Sequence, residues 1–219
     1  MLTTIPLGII DSTGLNPYAS WSSTNKSSNI TLSNNNLTFR GGTVNKFGTG
    51  IATIGKSSGK WYWEITINTP AGTALGGLVG ACNWIPDSAN TKNVWQNLQG
   101  AGISNNGTVP CLRLWISGAG PITSGSCITS LVNNDVISFA LDMDSPTKSL
   151  KIYKNGIQHG ITITGLTGTW YPACMSQGTV ITAGGTANFG QNAWSTNPTV
   201  TSTRNTLFAA GYNQGVYTI

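Results

Sequence analysis

The run WYWEITI constrains this chain most, because its large apolar side chains fall on every second residue. Trp61, Trp63, Ile65 and Ile67 share one face, while Tyr62, Glu64 and Thr66 share the other. A strand needs that period to bury one face of a sheet, whereas a helix would scatter the same residues around its circumference. No window of about 11 residues holds the i, i+3, i+4, i+7 pattern free of Gly, Pro or β-branched clusters. Short alternating runs recur instead between turn clusters such as SNNN, SSG, NNG, SGAG, NND, DSPT, KNG and AGG. The rhythm predicts an all-β, antiparallel β-sandwich.

GGLVGACNW reads as a strand of small residues, and CLRLWI and DVISFALDM read as interior strands. LKIYKNGIQHGITI reads as a hairpin turning at Asn155-Gly156, because a type I′ turn needs positive φ at both central residues. WYPACMS and VITAGGTANFG would complete the sheets, and the polar stretch from Trp95 to Asn106 reads as loop. The alternation fades after about residue 196. The expected organisation is an N-terminal arm over residues 1–19, a sandwich over 20–196 and an irregular C-terminal arm over 197–219. Both arms are expected to be protease-sensitive in the isolated protein.

Charged residues make up only 8% of the 219, against about a quarter in an ordinary globular protein. Amides and hydroxyls must therefore do most of the solvating, and they enter a permanent interface at lower cost than charges do. The net charge of +5 comes from 11 basic residues spread along the chain, so nucleic-acid binding is not expected. Lys148, Lys151 and Lys154 fall around the predicted hairpin, where Lys on a solvated edge discourages edge-to-edge pairing. The apolar start MLTTIPLGII has no basic n-region and no A-x-A-like cleavage signal, and no stretch approaches a membrane-spanning length. Neither a signal peptide nor membrane insertion is expected.

Most chemistry-bearing motifs fail their context. Residues 50–57, GIATIGKS, satisfy G-x-x-x-x-G-K-S, but a strand follows where a phosphate cradle needs a helix N-terminus. Asp142, Asp144 and Ser145 form D-x-D-S at a strand end, which reads as a turn rather than a calcium loop of six to eight oxygens. Glu64 is the only glutamate, and a cross-strand basic partner suits it better than paired-carboxylate chemistry. His159 has no nucleophile nearby in sequence and reads as a surface residue. Cys82, Cys111, Cys127 and Cys174 show no C-x-x-C pair, so no structural metal is expected, although pairing among them stays open. No enzyme activity, cofactor or metal is expected. Trp84 and Trp95, in the least strand-like stretches, and Trp115, at a strand end, are the candidate ligand-binding residues, since exposed Trp anchors binding hot spots.

Four blocks in fixed order carry a resemblance: SSGKWYWEITI, GGLVGACNW, NDVISFALDMDSPTKSLKIYKNG and WYPACMSQGTVITAGGTANFGQNAW. Together they are similar to the SPRY (B30.2-like) domain over roughly residues 20–195. The resemblance implies two antiparallel sheets packed face to face, partner recognition through rim loops and no catalytic residues. It also marks Trp61, Trp63, Asp135, Asn155, Gly156, Pro172, Asn188 and Phe189 as fold-defining. The segment between Asn83 and Thr129 matches no ubiquitin-ligase or immune-sensor version, so those partners are not carried over. The opening ASWSSTNKSSNITLSNNNLTF is similar to SPRY-like proteins of bacteriophage and environmental viral sequences. The expectation is a non-enzymatic virion component, such as a capsid decoration, head fibre or tail part. It would be made in the host cytoplasm, and its partners would be other virion proteins, itself, or a host-surface protein or glycan. The alternative is a soluble recognition module for a peptide or glycan.

Overall fold

The alternation of WYWEITI becomes the central strand of a sheet, and the layers follow from what each of its faces must cover. The computed structural model describes residues 17–41, 48–69, 78–86, 100–105, 110–115, 121–127, 131–160, 162–176 and 184–218. The strands in chain order are β1 (Trp21–Lys26), β2 (Ile30–Ser33), β3 (Thr38–Gly41), β4 (Gly48–Ala52), β5 (Lys60–Thr69) and β6 (Leu78–Cys82). There follow β7 (Gly100–Asn105), β8 (Pro110–Trp115), β9 (Pro121–Cys127), β10 (Val136–Asp142) and β11 (Ser149–Lys154). The last are β12 (Ile157–Gln158), β13 (Ile163–Thr164), β14 (Tyr171–Ser176) and β15 (Gly184–Asn188), then the helix α1 (Pro198–Ala209). One sheet runs β1-β4-β14-β6-β7-β8-β9 and the other β12-β11-β10-β5-β15-β3-β2, with β13 also on β11. All strand pairs within the sheets are antiparallel.

The core lies between the sheets. Trp61, Trp63, Ile65 and Ile67 enter it from β5, alongside Phe139 and Leu141 from β10. Trp63 stacks on its cross-strand partner Phe139 with centroids 5.0 Å apart and planes 12° from parallel. Trp21 meets Phe39 and Phe189 edge to face at 5.6 and 5.3 Å, tying β1 to the opposite sheet. The hairpin after β11 turns as expected: Lys154 pairs with Ile157, and Asn155 and Gly156 take φ of 49° and 83°. Asn155 also receives the Val136 N–H on Oδ1 and donates to Asp135, which holds the Lys154 ammonium at 3.1 Å.

Several expectations need correction. The stretch read as loop to Asn106 contains β7, whose sequence GAGISN hides it because glycine has low strand propensity. The three lysines do not line an edge, since β11 is flanked by β10 on one side and by β12 and β13 on the other. His159 is only 7% exposed and therefore not a surface residue. Glu64 does pair with a base, yet the partner comes from the C-terminal helix rather than from a neighbouring strand.

That helix replaces the expected C-terminal arm. Asn197 caps it, its Oδ1 accepting from Thr199 N and Val200 N at 3.0 and 3.3 Å, and Pro198 begins the first turn. Val200, Arg204 and Leu207 face inward at helical spacing, and Leu207 packs with Tyr62, Ala140, Tyr153 and Tyr212 on the outer face of the sheet. Both faces of β10 are consequently buried. The chain then returns, and Val216 and Tyr217 enter or pack on the core. Residues 1–16 of the expected N-terminal arm lie outside the described residues, while Ala19 N donates to Val216 O and Thr218 N to Pro17 O. Protease resistance of the segment from residue 197 is the corrected expectation.

Candidate functional site

The motif residues fall into structural roles. Lys56, in the G-x-x-x-x-G-K-S run, lies with its ammonium 3.5 Å over the Trp61 ring and donates to the Tyr217 carbonyl. Burial lowers its pKa, and the helix a phosphate would need does not follow. Lys56 thus fastens the returning C-terminus to β5.

Asp142 ties a turn. Its Oδ1 accepts from Asp144 N and Ser145 N at 3.1 and 3.0 Å, its Oδ2 accepts from Ser145 Oγ at 2.7 Å, and Lys60 lies 3.6 Å away. Burial alone would raise the Asp142 carboxyl, but the Ser145 and Asp144 donors and the Lys60 charge leave it below its ordinary value. Asp144 accepts from Gly59 N at 2.6 Å, which ties this turn to the start of β5. Among the described residues no group of three or more His, Cys, Asp and Glu could hold a metal. Adding EGTA should leave the melting temperature unchanged; a drop on chelation, reversed by calcium, would reinstate the site.

Residues that the SPRY resemblance marks as fold-defining hold loops and layers together. Asn188 Oδ1 accepts from Gly190 N at 3.0 Å, and its amide donates to the Asn192 and Ala193 carbonyls at 3.1 and 3.0 Å. Phe189 is fully buried, and Pro172 pairs with Ala81 inside the seven-stranded sheet.

What remains is the outer face of that sheet. Ile51, Cys82, Ala173 and Met175 form a small apolar cluster there, with half-buried Trp84 and Tyr171 packed on it. The Cys82 thiol donates to the Trp84 carbonyl at 3.5 Å, and burial pushes that thiol up to about 12. Ile85, next to Trp84, is 53% exposed. The register extends this face across the strands, because directly opposed residues share a side. One row runs Tyr171, Cys82, Gly100, Trp115, Pro121. The next runs Ile51, Ala173, Gly80, Gly102, Arg113, Thr123. Gly100 and Gly102 of β7 leave a lane without side chains between Cys82 and Gly80 of β6 and the positions of Trp115 and Arg113 in β8.

The structure therefore places two of the three candidate tryptophans against one face. Trp84 packs over its apolar cluster, and Trp115 sits at the end of β8, opposite Gly100 and Pro121. Trp95 lies outside the described residues. Tyr171 and Arg113 join that face without having been singled out in the sequence. A register count from Gly80 through Gly102 would have found Arg113, but only once β7 had been recognised as a strand.

No family model matches the chain, and no curated protein sequence matches it. Among solved structures it is similar to the SPRY domain of human HERC1, at 17% identity over 77% of this chain and 96% of that one, with a TM-score of 0.55. It is also similar to the TRIM65 PSpry domain, at 12% identity over 78% of this chain and 89% of that one, with a TM-score of 0.54. Two antiparallel sheets packed around the Trp61, Trp63 and Phe139 core, together with these likenesses, make the chain an all-β sandwich of the SPRY type.

Proposed function

We propose that the chain is a non-catalytic recognition module that binds a protein partner on the outer face of its seven-stranded sheet. The observation that carries this reading is that Trp84 packs on the outer-face cluster of Ile51, Cys82, Ala173 and Met175, while Trp115 takes a register position on that same face, in line with Cys82 through Gly100. On the other sheet α1 covers the outer face at Tyr62, Ala140 and Tyr153 of β5, β10 and β11. Aromatic anchors beside an apolar cluster, with Arg113 in the neighbouring row, are the residue types that concentrate binding energy. Both solved structures named above are SPRY domains, and a domain of that kind acts through contact rather than through a reaction.

A displayed library of random peptides, selected on the immobilised chain, tests this. Trp115→Ala and Trp84→Ala should each weaken the selected peptides by about 30-fold, the size expected for truncating a hot-spot aromatic. The melting temperature of Trp115→Ala should stay close to that of the parent. Unchanged affinity in both variants would remove the face from consideration, and selection of glycans alone on an array would move the ligand class.

The place of action we propose is a virus particle, with virion proteins as the partners. The low charge and the phage-like opening of residues 19–39 support it. Peptide mass spectrometry on purified particles from the source decides the matter. Abundant peptides would make the chain a virion component, and their ratio to the major capsid protein would separate a decoration from a rare tail part. Their absence would leave a free recognition module.

A further inference from the structure

We propose that Cys111 and Cys127 are a cross-strand disulfide pair that staples β8 to β9 at the edge of the recognition face. The four cysteines divide cleanly by position. Cys174 points into the core between the sheets and Cys82 into the cluster on the outer face, both fully buried as free thiols. They lie on opposite sides of the sheet. Cys111 and Cys127, in contrast, are direct register partners in an antiparallel pair. Opposed residues in such a pair share a face, with Cα atoms about 4.5 to 5.5 Å apart. A disulfide bridges Cα atoms about 4.4 to 6.8 Å apart, so the backbone already brings the two residues within its reach.

A second feature of the same strands gives the bond a structural purpose. Between the pairs Cys111↔Cys127 and Arg113↔Thr123 the register shifts. There β8 contributes only Leu112, while β9 contributes Ser124, Gly125 and Ser126. A ladder interrupted by three small residues holds its register weakly. A covalent link on the far side of the irregularity fixes it, and with it the positions of Arg113 and Trp115, one and two rows along. Among the described residues β9 is also the edge strand of the seven-stranded sheet, with a neighbour on one side only. Stapling an edge hairpin limits its opening.

The chemistry balances with a small-molecule disulfide as oxidant. One cysteine thiolate attacks the oxidant, forming a mixed disulfide and releasing one small thiol. The second thiolate then attacks the protein sulfur and releases the other small thiol. Two protein thiols are oxidised, one oxidant disulfide is reduced and no further electron acceptor is needed. The bond persists outside a reducing cytoplasm, as it would in a released particle.

The pairing stands on the register alone, and only its consequence for partner binding rests on the proposed recognition role. The test uses the full chain, purified under reductant, transferred to oxidised glutathione and digested without reduction. The expected result is a single linked peptide joining Cys111 to Cys127, with two of the four thiols still titratable after unfolding. Amides of residues 111–115 and 122–127 should exchange more slowly in the oxidised protein than in the reduced one. Four titratable thiols, or a link from either cysteine to Cys82, Cys174, glutathione or a second chain, would overturn the pairing. Equal exchange in the two forms would overturn the stapling. The peptide map requires no partner, so a confirmed link beside unchanged peptide affinity in the Trp84 and Trp115 variants would retain the disulfide and discard the recognition face.

Discussion

Arg204→Met should destabilise the protein by about 3–5 kcal/mol, read as a lower denaturant midpoint. Arg204 reaches from α1 to the outer face of the eight-stranded sheet, where Nη1 lies 3.0 Å from Glu64 Oε1. Neither side chain is more than 9% exposed. Tyr62 donates to the same carboxylate oxygen at 2.7 Å, and Ser195 N donates to the other at 3.2 Å. Arg204 itself donates to the Ser195 and Thr201 oxygens at 3.1 and 3.3 Å, so both charges are satisfied in one network. Removing the guanidinium leaves a buried carboxylate without its counter-charge, which costs far more than an exposed pair would. Burial and then the Glu64 charge raise the Tyr62 pKa, which keeps that hydroxyl protonated as a donor. Glu64→Gln should cost less, because the amide oxygen can still accept. The double replacement Glu64→Leu with Arg204→Met should recover much of the loss, since the charge left stranded by the single variant is gone. A loss below 0.5 kcal/mol for Arg204→Met would mean that α1 does not dock as described, and the C-terminal segment would revert to the arm that its sequence suggests.

The reason that segment is hard to read lies in its side chains. PTVTSTRNTLFA contains four threonines and a valine, residues that lose rotamer freedom in a helix, and its inward positions are Val200, Arg204 and Leu207. An arginine in the buried stripe breaks the apolar pattern from which helices are recognised. The Asn197 cap and Pro198 in the first turn do not by themselves mark a helix without an apolar stripe behind them. WYWEITI, by comparison, is transparent because one face enters the core directly, and the Asn155-Gly156 turn because its backbone angles select its residues. The candidate site was half legible. Trp84 and Trp115 could be named from type and context, but placing them on one face depends on β7. Gly100 and Gly102 of β7 erase its strand signal, and Gly80 of β6 lets the β7 backbone approach closely.

Gly80→Val should be the most damaging single change on the recognition side, costing about 3 kcal/mol or more, at the upper end of overpacking. A Cβ at Gly80 would sit 2.1 Å from the Ala101 carbonyl oxygen and 2.8 Å from Gly102 Cα. Both are backbone atoms of β7, so no side chain can rotate away, and relief requires moving the strand. Gly80 and Gly102 are direct partners in the ladder, and β7, β8 and β9 reach the rest of the sheet only through it. Displacing β7 therefore carries off the half of the face with Arg113 and Trp115, while the eight-stranded sheet and α1 retain their contacts. The expected signature is faster amide exchange in residues 100–105, 111–115 and 122–127, with peptide binding lost together with it. Gly168→Ala is the control: its φ is 72° and an added Cβ meets nothing within 4 Å, so it pays only for the left-handed backbone, about 1–2 kcal/mol. Should the two variants unfold alike, with exchange raised evenly through both sheets, the seven-stranded half would not be separable from the core, and the glycine lane would be a packing device without consequence for recognition.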